Sequence, residues 1–139
     1  MKSIYLIIAF AGLVACSKNG DKTSTFPTEG VWVESTLHED TINLDLDQSV
    51  WSWTAEERVF DFRSKPFMDP AINPTFPLNL SVYYKYKIKD DSLQVVSFVS
   101  SSGLYRSYAF KYEDATHFTI ERFYLRNALP QTIRFVRTR

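Results

Sequence analysis

Cysteine, glycine and histidine are scarce in this chain. The one Cys, at position 16, excludes an internal disulfide and a cysteine-cluster zinc site. Four Gly in 139 residues leave no glycine-rich loop to cradle a nucleotide phosphate. His38 and His117 are the two histidines, which gives metal and general-base chemistry little to work with. An excess of one charge is missing as well. Sixteen Lys and Arg balance 16 Asp and Glu, so the cationic surplus that binds phosphate backbones is absent and no nucleic-acid partner is expected. No helical period runs through the chain from Gly30 onward. Aromatic side chains, by contrast, are abundant: 11 Phe, 8 Tyr and 3 Trp make up 16% of the residues, a composition that suits β-sheet. The length allows one domain and a tether.

Met1-Lys2-Ser3 is a short basic start, and the apolar run Ile4 to Leu13 follows it. That run is too short to cross a bilayer, which takes about 20 residues, and it has the layout of a secretory signal peptide. It closes on Leu13-Val14-Ala15-Cys16, which resembles the lipobox of bacterial lipoproteins. The resemblance implies cleavage after residue 15, thioether lipidation of Cys16 and acylation of its new amino group. Residues 1–15 are then a lipoprotein signal peptide. Residues 16–29 read as a lipidated Cys and flexible tether, because Ser17 to Glu29 is polar and carries Gly, Pro, Ser and Thr. Thirteen such residues reach about 20 Å. A membrane partner through the lipid anchor and a place in the bacterial cell envelope follow. Ser17, where the sorting rule would put Asp for the inner membrane, directs the anchor to the outer membrane.

From Gly30 the pattern alternates. Ile42, Leu44 and Leu46 alternate with Asn43, Asp45 and Asp47. Leu80, Val82, Tyr84, Tyr86 and Ile88 alternate with Ser81, Tyr83, Lys85, Lys87 and Lys89, which lines the lysines up on one side of a strand. Turn signals fall at Asp90-Asp91, Ser101-Ser102-Gly103, Glu113-Asp114-Ala115 and Arg126 to Pro130. Strands are expected over 30–37, 41–47, 57–63, 80–89, 92–100, 104–112, 116–125 and 131–138. Val50 to Thr54 either extends a neighbouring strand or starts a short helical turn. The fold class is all-β, an eight-stranded antiparallel up-and-down barrel, with a two-sheet β-sandwich as the alternative.

Gly30-Val31-Trp32 resembles the Gly-x-Trp that opens lipocalin and calycin barrels. There the Trp plugs one end and an Arg near the chain end packs across it, a role that falls here to Arg137. Residues 30–139 as a whole are similar to the short lipocalin-like domains of Bacteroidota lipoproteins. Gly30 to Ser35, Asp40-Thr41-Ile42, Tyr86 to Leu93 and Ile133 to Arg137 carry the likeness. Asp40-Thr41-Ile42 and Asp91-Ser92-Leu93 also resemble an O-glycosylation acceptor of that group, and both equally read as plain turn-to-strand sequence.

If Trp32 points inward, Glu34 must too, and needs a partner such as Arg137 or Arg122. The opposite phase buries Val31 and Val33, and a bulge would reconcile the two. The candidate ligand-binding set is Trp32, Phe60, Phe62, Tyr84, Tyr86, Phe110 and Phe118, which either line a small apolar site or simply fill the core. Ser64 to Asn79 carries four of the six prolines, and reads as a long loop without regular structure. Phe67, Met68, Ile72 and Phe76 make it either a lid or a plain strap. Residues 29–61 hold nine acids against Arg58 alone, and residues 85–139 hold ten bases against five acids. The two segments either neutralise one another along the barrel seam or form opposed faces. No catalytic residue, metal or cofactor is expected, and the chain is not read as an enzyme. The expected function is a membrane-anchored, non-enzymatic lipoprotein domain that binds a small apolar ligand or serves as an envelope accessory. The alternative is a protein-interaction module or inhibitor with a filled core that uses loop 64–79. Mass spectrometry of the mature protein is expected to find an acylated Cys16 at its amino terminus. An unmodified peptide that contains Cys16 would contradict the anchor.

Overall fold

A computed structural model describes residues 26–139 apart from 52, 53, 55, 79, 90 and 91. Cys16, the turn at 90–91 and the side chain of Phe76 lie outside the described residues. Ten strands follow one another: β1 (Val31–Glu34), β2 (Asp40–Asn43), β3 (Arg58–Ser64), β4 (Phe67–Asp69), β5 (Asn73–Leu78), β6 (Ser81–Lys89), β7 (Ser92–Ser97), β8 (Arg106–Asp114), β9 (His117–Glu121) and β10 (Thr132–Arg137). One helical turn, α1 (Gln48–Trp51), stands between β2 and β3.

Eight of the strands close into an antiparallel barrel in the order β1-β10-β9-β8-β7-β6-β3-β2. β1 pairs with β10, and Trp32 stands opposite Arg137. This closure excludes the open sandwich. It also removes the exposed sheet edges that a chain rich in Val, Ile and aromatics must avoid. The seam is reinforced where the sequence suggested. Trp32 is buried, its Nε1–H donates to the Glu29 carbonyl at 2.9 Å, and the Arg137 guanidinium lies 5.8 Å from its ring centre. Gly30 is needed at this corner. Its φ is +98°, and a Cβ there would stand 2.7 Å from the Arg139 carbonyl oxygen.

Trp32 and Glu34 both face in, with Val31 and Val33 half-buried outside, so the first of the two phases holds without a bulge. Glu34 does not pair with Arg137 or Arg122. Its carboxylate accepts the backbone N–H groups of Thr36 (2.8 Å), Leu37 (2.7 Å) and Glu39 (3.2 Å), folding the β1–β2 turn around itself. Three backbone donors do for a buried carboxylate what a counter-ion would.

Several strands end earlier than the alternation suggests, each for a local reason. β2 stops at Asn43, whose side chain accepts the Asp45 N–H in an Asx turn. The chain leaves the sheet after Glu121 because Arg122 Nη1 donates to the carbonyls of Arg126 (2.7 Å) and Leu129 (2.8 Å) and coils it. Segment 64–79 is not structureless. β4 and β5 form a hairpin, a separate two-stranded sheet. Pro74 and Pro77 are tolerated in β5 because a strand with one partner has a free side that needs no donor. Phe26, expected in the flexible tether, is instead buried, with its ring 5.1–5.6 Å from those of Tyr86, Phe110 and Phe118.

Cross-chain ion pairs join the acidic and basic segments: Arg137 with Glu29, Arg139 with Asp45, Lys85 with Glu57, and Arg126 with Glu39 and Asp40. The two halves of the sequence therefore neutralise one another across the barrel. Lys85 is not part of a solvated lysine face. It is buried among Glu57 and the Phe98 ring on the outer wall, where Trp51 also stacks on Tyr83 at 4.8 Å.

Candidate functional site

The two ends of the barrel differ. Connections 35–39, 65–80, 98–105 and 122–131 share one end, called here the loop end. Residues 26–30 and the last residues of the chain share the other. Phe26 fills the interior at that second end. At the loop end the segment 122–131 folds back into the mouth and buries Tyr124, Arg126 and Leu129.

Arg126 is the anchor of this plug. It is 2% exposed, yet it carries a full charge. Its Nη1 donates to Asp40 Oδ1 at 2.5 Å and to Ser64 Oγ at 2.6 Å, and its Nη2 bonds the Glu39 carboxylate. The guanidinium also lies 4.6 Å from the centre of the Phe67 ring on the β4–β5 hairpin. Asp40, fully buried, accepts the Tyr124 hydroxyl at 2.7 Å on its other oxygen. Burial and this bond push the Tyr124 hydroxyl far above its usual range, so it remains a donor. Asn127 Nδ2 donates to the buried Asp69 at 2.8 Å, and Asp69 also accepts the Ala71 N–H. Three connections (35–39, 64–73 and 122–131) are thereby tied into one rigid surface.

The candidate ligand residues sit in one aromatic interior, most of them turned wholly inward. Trp32, Phe60, Phe62, Tyr86 and Phe118 are at most 1% exposed and Phe110 is buried. Their rings pack on each other: Trp32 on Phe118, Phe60 on Tyr86, and Phe118 stacked on Phe135 at 5.2 Å. Phe123 inserts from the plug, 5.3–5.6 Å from Phe60, Phe62 and Tyr84. Tyr84 alone of the set is half-buried and borders an open recess at the mouth. The Tyr86 hydroxyl is buried without a partner among the described residues, and burial pushes it up to about 12. Of the loop residues, Phe67 is a structural contact of Arg126, whereas Met68 and Ile72 are exposed at 53% and 44%.

Sequence reasoning missed Phe26, the Arg126–Asp40 pair and the loop-end plug. A sign was available: Arg126 sits among Phe123, Tyr124 and Leu129, apolar residues on both sides of the junction between the expected strand 116–125 and the turn 126–130.

The loop end is also where apolar side chains meet water. Leu37, Met68, Ile72, Val99, Leu104 and Leu125 stand exposed on its four connections. The carboxylates there (Glu34, Glu39, Asp40 and Asp69) are committed to the bonds above. Lys65 and Arg106 are exposed, with no carboxylate partner among the described residues.

Among the described residues, a hydroxyl–imidazole–carboxylate cluster stands at an exposed turn, formed by Thr116, His117 and Asp114. Thr116 Oγ1 (2.8 Å) and Asp114 (3.0 Å) both meet His117 Nδ1. A proton relay needs the acid and the hydroxyl on opposite ring nitrogens, so this cluster is a turn lock. The Thr116 hydroxyl and backbone N–H, which both donate to Asp114 Oδ1 at 2.7 Å, and then His117 hold the Asp114 carboxyl well below its usual range. Among the described residues no group of three His, Cys, Asp or Glu side chains is placed to hold a metal ion. No protein-family model, curated protein or solved structure matches the chain.

Replacing Asp40 by Ala is expected to lower unfolding free energy by about 3–5 kcal/mol, because it strands a buried guanidinium. Glu39→Gln, at the exposed side of the same group, is expected to cost about 0–1 kcal/mol. Urea denaturation reads both, and equal losses would contradict the ranking.

Proposed function

We propose that this chain is a non-enzymatic lipoprotein of the bacterial envelope, anchored through Cys16 to the outer membrane. Its barrel is a filled scaffold and its loop end is the face that recognises a protein partner. The observation that carries this reading is the rim: six exposed apolar side chains on four connections, three of which are locked together by Arg126 and its neighbours. Exposed apolar surface gathered on a rigid frame is the mark of an interaction site. The mobile side chains and loops that make binding costly are already fixed here.

A small apolar ligand inside the barrel is less favoured. The rings expected to line such a site occupy the space themselves, and both ends are stoppered by Phe26 and by the 122–131 segment. The rim's inward-turned carboxylates and exposed Lys65 and Arg106 suit a partner with apolar and acidic groups.

A photo-crosslinking residue at Leu104 or Leu125 is expected to give one discrete protein adduct in intact membranes. The same residue at Val50, exposed on the flank, is expected to give none. Absence of adducts from the rim, or equal labelling from all three positions, would overturn the reading.

A further inference from the structure

The recess at the mouth has a chemistry that the rim does not. It encloses about 200 Å³ between β6, β7, β8 and the 98–104 connection, and its walls include Tyr84, Val95, Ser97, Arg106, Tyr108 and Phe123. Register explains why these meet. Tyr84 stands opposite Ser97, and Val95 opposite Arg106. Val95 and Phe110 are buried in the core, so period 2 places Arg106 and Tyr108 on the same inner face of β8. A charged residue thus occupies an inward position at the open end of an aromatic barrel.

Its surroundings do not explain it. The other inward charges at this end are matched: Arg126 by Asp40 and Glu39, and Glu34 by three backbone donors. Arg106 has no carboxylate among the described residues. Tyr84 and Tyr108 line the same recess, and neither hydroxyl has a hydrogen-bond partner among the described residues. Burial, with Tyr108 adding to it, pushes the Tyr84 hydroxyl above its usual value, which leaves it a donor. Ser100 Oγ and Ser102 Oγ, 2.9 Å apart, add further polar groups to the wall. The half-buried Phe123 ring completes the wall together with Val96 and Leu104, and lies 6.1 Å from Tyr108 and 5.3 Å from Tyr84.

Donors without acceptors select an acceptor. Arginine in particular binds planar carboxylates through two parallel N–H···O bonds. Aromatic walls select a flat apolar body. Size limits that body: a cavity of about 150 Å³ takes one benzene ring, whereas drug-sized ligands need about 300 Å³ or more. We propose that the mouth recess is a binding site for a small aromatic carboxylate, its carboxylate on Arg106 and the tyrosine hydroxyls and its ring against Phe123. The recess shares Leu104 and Arg106 with the rim proposed for the protein partner, and titration of the purified chain reads the recess in that partner's absence.

Benzoate and its neutral counterpart benzamide test this on the purified chain by amide and side-chain NMR titration. Benzoate is expected to shift Tyr84, Arg106, Tyr108 and Phe123 saturably, with at least tenfold higher affinity than benzamide. Arg106→Gln is expected to erase that preference without changing the melting temperature, since Arg106 is exposed. Lys65→Gln, at the same end but outside the recess, is expected to leave binding unchanged. The proposal is overturned if no saturable shift occurs, if benzamide binds as well as benzoate, if R106Q leaves benzoate affinity intact, or if K65Q weakens it equally.

Discussion

A guanidinium buried at the mouth of the barrel organises the loop end of this protein. Arg126 cannot shed its charge when it leaves water, so the chain must bring acceptors to it. Asp40 and Glu39 come from the β1–β2 turn and the start of β2, Ser64 from the end of β3, and the Phe67 face from the hairpin beyond. These groups belong to two connections, the β1–β2 turn and the β3–β4 segment, and Arg126 brings in a third. One side chain therefore fixes their relative positions, and the segment that carries it becomes part of the core. Desolvation makes such a group costly. The return is a single arrangement of loops that hydrophobic contacts alone would leave loosely specified.

The functional reading follows from this closure. A barrel of eight strands can hold a ligand or fill itself, and here Phe26 and the 122–131 segment stopper its two ends while stacked rings occupy the middle. Recognition is thereby displaced to the rim and to the small recess beside Phe123. The same lock that seals the interior also holds three of the connections that present Leu37, Met68, Ile72 and Leu125 to solvent.

The barrel was legible in the sequence because period-2 alternation and hairpin turns are local, and eight strands in meander order leave few topologies. The Trp32–Arg137 seam was expected only through the resemblance of Gly30-Val31-Trp32 to the opening of lipocalin and calycin barrels. The inward phase of β1 was one of two that the alternation left open, and neither suggested partner of Glu34 is the one it has. Backbone N–H groups of a turn leave no mark in the side-chain sequence. The β4–β5 hairpin was hidden by prolines, which mark a break in a central strand but are permitted in a strand with one neighbour. The plug was missed because 122–125 reads as the end of a strand and 126–130 carries turn residues, so the apolar side chains around Arg126 were divided between two expected elements. Arg126 meets its acceptors across more than 60 residues, a distance at which sequence pattern is silent. Phe26 was lost to composition: one aromatic in a polar stretch reads as tether, although a ring that fills a barrel end needs no neighbours of its kind.

Native-state hydrogen exchange at Leu129 tests the central claim most directly. Its N–H donates to the Arg126 carbonyl at 3.1 Å inside the plug. If the plug is core, this amide opens only with the global unfolding of the barrel, at the same free energy as the slowest amides of β9 and β10. Exchange at a small fraction of that free energy would mean that the mouth opens on its own, and that the barrel is a gated container and not a sealed scaffold.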